Sequence, residues 1–377
     1  VDFSYSDEQQ MLQDSVQKFV YSQYDFDTRR NIIKSDAGYS AEYWSLFAEL
    51  GWLTVPFREE DGGFGGSAVD LMVVMEEFGK GMVIEPFLAT AVISGGLISE
   101  LGSAEQKETM LSAIMEGSVQ LATAYAEADS RYNLASVGTT AHKQGDSYLI
   151  NGSKVLVLNG PSADKLLVIA RTSGGKLDRE GISAFIVNAS SAGVSKNSYT
   201  AVDGHRAAEV HFTDVLVSAD DRLGAEGEAL SALEAVIDRA ALAVSSEAIG
   251  AMDCLLKKTV EYTKTRKQFG VAIGTFQALQ HRMSDMFIEC QLARSVVIMA
   301  SMISDTDATA AEKSKAVAAA KARVGRAMRK VGQEAVQLHG GIAVTDELDV
   351  GHYFKRVTTI ENLFGNTDYQ LARFASL

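Results

Sequence analysis

The hydrophobic period changes twice along this 377-residue chain, near residue 120 and again near residue 226. Apolar residues that recur every three or four positions line one face of a helix, whereas strict alternation lines one face of a strand. A chain that reads helical, then β, then helical excludes a doubly wound sheet and a (β/α)8 barrel, because both interleave strands and helices throughout. The expected class is α+β: an N-terminal helical domain over 1–119, a middle antiparallel β domain over 120–225 and a C-terminal four-helix bundle over 226–377.

The first block opens on Ser6-Asp7-Glu8-Gln9, a capping box in which the Ser6 hydroxyl and the Gln9 side chain satisfy each other's backbone amides. Leu12, Val16, Phe19 and Val20 follow at helical spacing, and further helical patterns lie at 41–51, 67–80, 87–101 and 104–116. Glycine-rich EEDGGFGGS (59–67) follows no Val/Ile-rich strand, so it reads as a turn ending in a Ser67 cap and not as a phosphate-binding loop.

In the second block, YLINGSKVLVLNG holds Asn151-Gly152 between two apolar runs, a hairpin signal because both turn residues must accept positive φ. KLLVIA (165–170), ISAFIV (182–187) and AEVHFTDVLV (208–217) read as further strands. The third block carries long helical patterns over 228–264, 277–304 and 309–338. All three prolines, Pro56, Pro86 and Pro161, lie outside it.

Composition narrows the function. At 46% apolar and 22% charged residues the chain has material for a sizeable core. A net charge of −14 with no compensating Lys/Arg block argues against nucleic acid. Cys254 and Cys290 lie far apart, which suggests neither a disulfide framework nor zinc and makes a reducing, cytoplasmic compartment the expectation. No apolar run reaches membrane-spanning length, no signal-like leader opens the sequence, and the six histidines show no i, i+4 pair, so neither a membrane nor a metal is expected.

Three stretches carry chemistry. In Thr265-Arg266-Lys267-Gln268-Phe269-Gly270, followed by Phe276-Gln277, a helix ends in a guanidinium suited to pyrophosphate and a ring suited to a flat heterocycle. In Gln337-Leu338-His339-Gly340-Gly341, two glycines let backbone approach a ligand beside an amide. Each also reads, alone, as an ordinary helix end. The third, NLFGNTDYQ (362–370), is a turn with no strong base, and alone it reads as surface.

In this order and after a β domain, RKQFG, FQALQHRMSDM, QLHGG and the terminal GNT resemble the R-x-x-F-G, F-Q-x-x-Q, Q-x-x-G-G and E-G-T motifs of the acyl-CoA dehydrogenase family. GWLTVPFREEDGGFGG and VDLMVVMEEFG extend the resemblance over nearly the whole chain. It implies FAD as cofactor, an acyl-CoA thioester as substrate, and a flavin-type electron acceptor. A carboxylate takes the α proton while the flavin takes the β hydrogen as hydride. It also implies an oligomer, homomeric or heteromeric and built as a dimer of dimers, with each FAD at a contact between subunits. The neighbour then supplies the R-x-x-F-G and Q-x-x-G-G groups that hold the adenine and pyrophosphate end.

Residue by residue, the part lent to a neighbour is intact: Arg266, Gln268, Phe269, Gln277, Gln337, Gly340 and Gly341. The part that holds a chain's own flavin ring is altered. Ala126 stands for a Thr before Glu127, and Leu156-Val157-Leu158 stands for Trp-x-Thr. In the terminal turn Gly365 stands for the catalytic Glu, Thr367 remains, and Gln370 comes one place early, with Leu371 at the expected site. Some relatives carry the base on the first long helix of the last block, before an arginine; the matching pair here is Asp238-Arg239. Asp is shorter than Glu by roughly 1 Å, a misplacement that can cost about 10²-fold in rate. Glu234, Asp238 and Ser245 also read as one solvated stripe.

Three functions fit these residues. The first is an FAD-dependent acyl-CoA dehydrogenase with Asp238 as base, in which Gly365 leaves room for a bulky acyl group. The second is a non-catalytic subunit of a heteromer that completes its partner's FAD site; AEADSRYNLA (126–135) resembles the small subunits of such pairs, known from steroid side-chain and dicarboxylate degradation. The third is a flavin oxidase of the same fold, marked by rapid peroxide formation. Arg206 is expected to pair with Glu209 in preference to a CoA phosphate. Arg131 and Tyr132 either fill cofactor space or sit in solvent.

Overall fold

The computed structural model describes residues 5–377. The helices are α1 (Asp7–Gln23), α2 (Phe26–Lys34), α3 (Ala41–Glu49), α4 (Ala68–Gly81), α5 (Gly96–Leu101) and α6 (Ala104–Met115), followed after the sheet by α7 (Leu230–Thr265), α8 (Gln277–Ser304), α9 (Ala310–His339), α10 (Asp349–Asn362) and α11 (Thr367–Ser376). The strands are β1 (Leu121–Ala124), β2 (Thr140–Gln144), β3 (Ser147–Leu158), β4 (Lys165–Arg171), β5 (Ile182–Asn188), β6 (Val194–Thr200), β7 (Arg206–Ser218) and β8 (Arg222–Leu223), with a small hairpin of β9 (Lys267–Gln268) and β10 (Val271–Ala272). This is the expected helical, β, helical order. Residues 88–95 form a π-helical stretch leading into α5, within what the sequence reads as one helix.

The chain divides into two compact units: one of residues 1–31, 68–83 and 241–377, the other of 32–67 and 84–240. The second contains the main sheet, ordered β6-β7-β3-β2-β4-β5-β8 with β1 added on β4. Most pairings are antiparallel, as expected, but β1–β4 is parallel and β2 meets β4 in parallel at Thr140–Arg171. Its core includes Tyr148, Val157, Leu166, Val168, Phe185 and Val210, with the Tyr148 and Phe185 rings 4.9 Å apart.

Asn151-Gly152 is not a hairpin turn. β3 runs straight through it, and the chain reverses instead at Gly145-Asp146, between β2 and β3. Asn151 spends its side chain across the sheet, donating to Asp214 (3.0 Å) and accepting from the Asp214 amide (2.9 Å). Gly152 sits at a register shift with φ +147, and a Cβ there lies 2.6 Å from Thr139 Oγ1, so the positive-φ signal marks a bulge and a close approach.

Arg206 does not pair with Glu209. Its guanidinium donates to Thr200 Oγ1 (2.6 Å) and to the carbonyls of Ile33 and Ser35, tying β7 to the 33–38 segment.

In the first unit the Ser6–Gln9 capping box forms as expected, and Val16, Phe19 and Val20 are buried. Helix α9 packs against α8, α10 and α11, while α4 packs against α1 and α8. Arg356 of α10 forms a two-pronged buried ion pair with Glu247 of α7 (2.6 and 2.7 Å). Against the sequence expectation, α8 is long and apolar enough by length and composition to cross a membrane. Charged residues within it are nevertheless committed to protein partners: Glu289 pairs with Arg323 of α9 (2.6 Å), and Arg294 pairs with Glu76 of α4 (2.6 Å) and with Asp253 of α7.

Candidate functional site

The seven residues expected to grip a cofactor from outside all lie in the first unit, after the C-terminal end of α7, at the start of α8 (Gln277) and around the C-terminal end of α9. Helix α7 ends at Thr265, and the chain turns through the β9–β10 hairpin, whose two-residue loop is Phe269-Gly270. Both loop residues have positive φ (+52 and +83), the type I′ arrangement that normally selects Asn-Gly. A phenylalanine held there costs about 1 kcal/mol in backbone terms. Its ring is also 92% exposed, with Phe276 edge-on at 6.2 Å. The left-handed backbone at this position thus presents a bare aromatic ring.

The hairpin is pinned beneath. The Ile273 amide donates to the Arg266 carbonyl (2.8 Å), and the Gln280 side chain donates to the Gly274 carbonyl (2.9 Å). Arg266, Gln268, Gln277, Gln337, Gly340 and Gly341 are exposed. Among the described residues no hydrogen bond or ion pair engages the side chains of Arg266, Gln268, Gln277 or Gln337. At Gly340 and Gly341 a Cβ meets nothing within 4 Å, so their backbone faces open space. Free guanidinium, free amides, a bare ring and open glycine backbone together fit the pyrophosphate and adenine end of FAD.

Thr367 is elsewhere. It lies against α9 at Gly325, fifteen residues before Gly340 and so about 22 Å back along the helix. The Glu361 carboxylate accepts from both its hydroxyl (2.7 Å) and its amide (3.0 Å). Buried Lys321 donates to the carbonyls of Ile360, Glu361 and Gly365, clamping the turn onto α9. Burial pushes its ammonium down to about 8, with Glu361 opposing. Gly365 has φ +100, and a Cβ there lies 2.5 Å from the Tyr369 ring and 2.6 Å from Gln370 Nε2. The position therefore leaves no room of its own: Tyr369 and Gln370 fill the space the sequence suggested was vacant. Sequence reasoning missed Glu361 and Lys321 altogether; a charged pair 40 residues apart carries no local signal.

In the other unit, Glu127 accepts from the amides of Gly138 (2.8 Å) and Thr139 (2.9 Å) and from buried Lys154 (2.8 Å). Burial works against its charge, but Lys154 and these bonds hold its carboxyl below the ordinary value, while burial lowers Lys154 to about 8. Leu156 sits in a bulge of β3 at φ +51 and is 40% exposed. Tyr132 lies near Tyr125, and burial together with that neighbour raises the Tyr125 phenol. Arg131 is exposed, with φ +47.

Asp238, on α7 in this same unit, is only 8% exposed and Ser245 is fully buried, so the two do not form a solvated stripe with Glu234, which pairs with Arg179 (2.8 Å). Arg239 donates to the carbonyls of Pro56 (2.6 Å) and Gly66 (2.9 Å), holding the glycine-rich 59–67 loop. Asp238 and Arg239 thus lie in a different unit from the Arg266 and Gly340 ends.

Helical, β and helical segments with these motifs at the ends of α7 and α9 define an acyl-CoA dehydrogenase fold. The profiles of the acyl-CoA dehydrogenase N-terminal, middle and C-terminal domains match residues 6–118, 122–215 and 230–376. The chain belongs to the acyl-CoA dehydrogenase family, whose members are FAD-dependent oxidoreductases. It is 30% identical to acyl-CoA dehydrogenase IpdE2 of Mycolicibacterium smegmatis, over 98% of each chain. Among solved structures it resembles butyryl-CoA dehydrogenase from Megasphaera elsdenii (26% identity, TM-score 0.90, covering 100% of this chain and 99% of that one). It also resembles a variant of the Tcur3481–Tcur3483 steroid ACAD (28% identity, TM-score 0.87, covering 98% of this chain and 97% of that one).

Proposed function

We propose that this chain is one subunit of a heteromeric acyl-CoA dehydrogenase, lending Arg266, Gln268, Phe269, Gln277, Gln337, Gly340 and Gly341 to an FAD housed by an unlike neighbour. The observation that carries this is the closed terminal turn. Gly365 cannot take a glutamate without strain, and the Thr367 hydroxyl is already committed to Glu361, so this chain's own turn supplies no base. Bound FAD supplies the hydride acceptor. The residues named here grip its adenine and pyrophosphate end, and proton abstraction falls to the neighbour. The two-component steroid ACAD among the structural relatives supports an unlike partner. So does the apolar surface of α8, where Phe287, Ile288, Leu292 and Met299 are about half exposed. The three-part division at about residues 119 and 225, a CoA-thioester substrate, a flavin-type acceptor and a cytoplasmic location belong to the same reading.

The test is turnover. The purified chain, supplied with FAD, a set of acyl-CoAs and an artificial electron acceptor, is expected to be inactive alone and active when isolated with its unlike subunit. Turnover by the chain alone contradicts the proposal.

The burial of Asp238 favours one second reading, in which this chain is itself the dehydrogenase and Asp238 is its base. Under that reading the chain turns over alone and Asp238→Asn abolishes it, while FAD content stays unchanged.

A further inference from the structure

We infer that His339 is a positioning residue for the FAD grip: its ring, stacked on Tyr262, sets the spacing between the Arg266 arm and the Gly340-Gly341 arm. This rests on the proposed grip and deepens it.

The two arms end different helices. Arg266 follows α7 and Gly340 follows α9, so their separation depends on how the last turns of those helices meet. His339 is the last residue of α9 and is 6% exposed. Its imidazole stacks on the Tyr262 ring with centroids 4.4 Å apart and planes at 28°. Nδ1 lies 2.8 Å from the Ala335 carbonyl one turn back, which orients the ring along its own helix. Tyr262 in turn accepts the Arg266 amide on its carbonyl (2.8 Å). Arg266, Tyr262, His339 and Gly340 thus form one connected path of backbone bond, ring stack and peptide bond.

One turn before Tyr262 on α7, Lys258 pairs with Asp349 of α10 (2.7 Å). This ties α7 to the neighbouring helix α10, while the ring pair joins the last turns of α7 and α9. Burial lowers the His339 pKa, so the stacked ring is neutral near pH 7. An aromatic pair has a preferred separation and tilt that an aliphatic contact lacks. A shift between the arms opens the spacing between the Arg266 guanidinium and the glycine backbone, the two groups that would together hold the pyrophosphate of FAD.

The test uses FAD fluorescence quenching on the tagged chain isolated with whatever subunit accompanies it. Variants Arg266→Ala, His339→Ala and His339→Phe are compared with the unaltered protein. His339→Ala is expected to weaken FAD about tenfold, equivalent to about 1.4 kcal/mol. His339→Phe keeps a flat ring and is expected to bind within about twofold of the original. If Arg266→Ala weakens FAD but His339→Ala does not, or His339→Phe is as weak as His339→Ala, the positioning role is overturned and the grip stands. If neither Arg266→Ala nor His339→Ala changes FAD binding, the grip itself fails. Should His339→Ala not fold, Tyr262→Leu against Tyr262→Phe decides on the same scale, with only the Leu variant expected to lose affinity.

Discussion

Thr367 donates its hydroxyl to the Glu361 carboxylate at 2.7 Å, inside a turn that Lys321 clamps from below through three carbonyls. The sequence resemblance implies Thr367 as a cofactor-binding residue; in the fold its hydroxyl is held by an internal carboxylate. Beside it, Tyr369 and Gln370 occupy the space into which a side chain at 365 would project. The turn keeps the family's outline while its polar groups serve the fold.

Gly365→Glu is therefore expected not to install a base. The left-handed backbone alone costs about 1–3 kcal/mol for a non-glycine residue, and the new Cβ also strikes Tyr369 and Gln370. A lowered urea midpoint with no acyl-CoA turnover by the chain alone is the expected result.

Lys321 gives a pH signature. Its folded-state pKa, pushed down to about 8 by burial, lies below the ordinary lysine value. Between about pH 8 and that ordinary value near 10.4 the unfolded chain binds the extra proton, so this group's contribution to stability rises with pH across the window. Below pH 8 both states are protonated and the burial penalty is fully present. Lys321→Met is expected to remove that rise. Unfolding free energies of the two proteins at pH 8, 9 and 10 check it, since the other titrating groups, Lys154 included, are common to both.

Phe269→Gly separates function from stability. The substitution relieves the left-handed strain and adds glycine's chain entropy; the two effects are each about 1 kcal/mol and oppose. The melting temperature is expected to change little while FAD retention by the assembled protein falls. An unchanged flavin content counts against a role for the exposed ring.

Ile288→Glu combined with Leu292→Glu puts two charges on the exposed stripe of α8. Neither side chain is in the core, so helicity by circular dichroism is expected to hold. Light scattering is expected to show a smaller assembly.

Much of this was legible in the sequence because it was local. The α8 boundaries follow from hydrophobic period and a missing proline, and the Ser6 box from four adjacent residues. Asn151-Gly152 misled because positive φ serves bulges as well as hairpins, and the Asn151–Asp214 pairing across the sheet decided between them. For Arg206 the nearest acid on its own strand is the obvious partner, but backbone carbonyls from the 33–35 segment reach it instead. The grip residues were legible as motifs, but their exposure was not. The closure of the terminal turn was invisible, because Lys321, Glu361 and Tyr369 meet the 365–367 turn only once α9, α10 and α11 have packed.

The most direct measurement is the ratio of flavin to polypeptide, taken on the chain purified alone and on the chain isolated with its companion subunit. A colourless lone chain, and a yellow assembly that loses its flavin when Arg266 is replaced by Ala, is the predicted result. One FAD per chain in the lone protein, unaffected by Arg266→Ala, contradicts it.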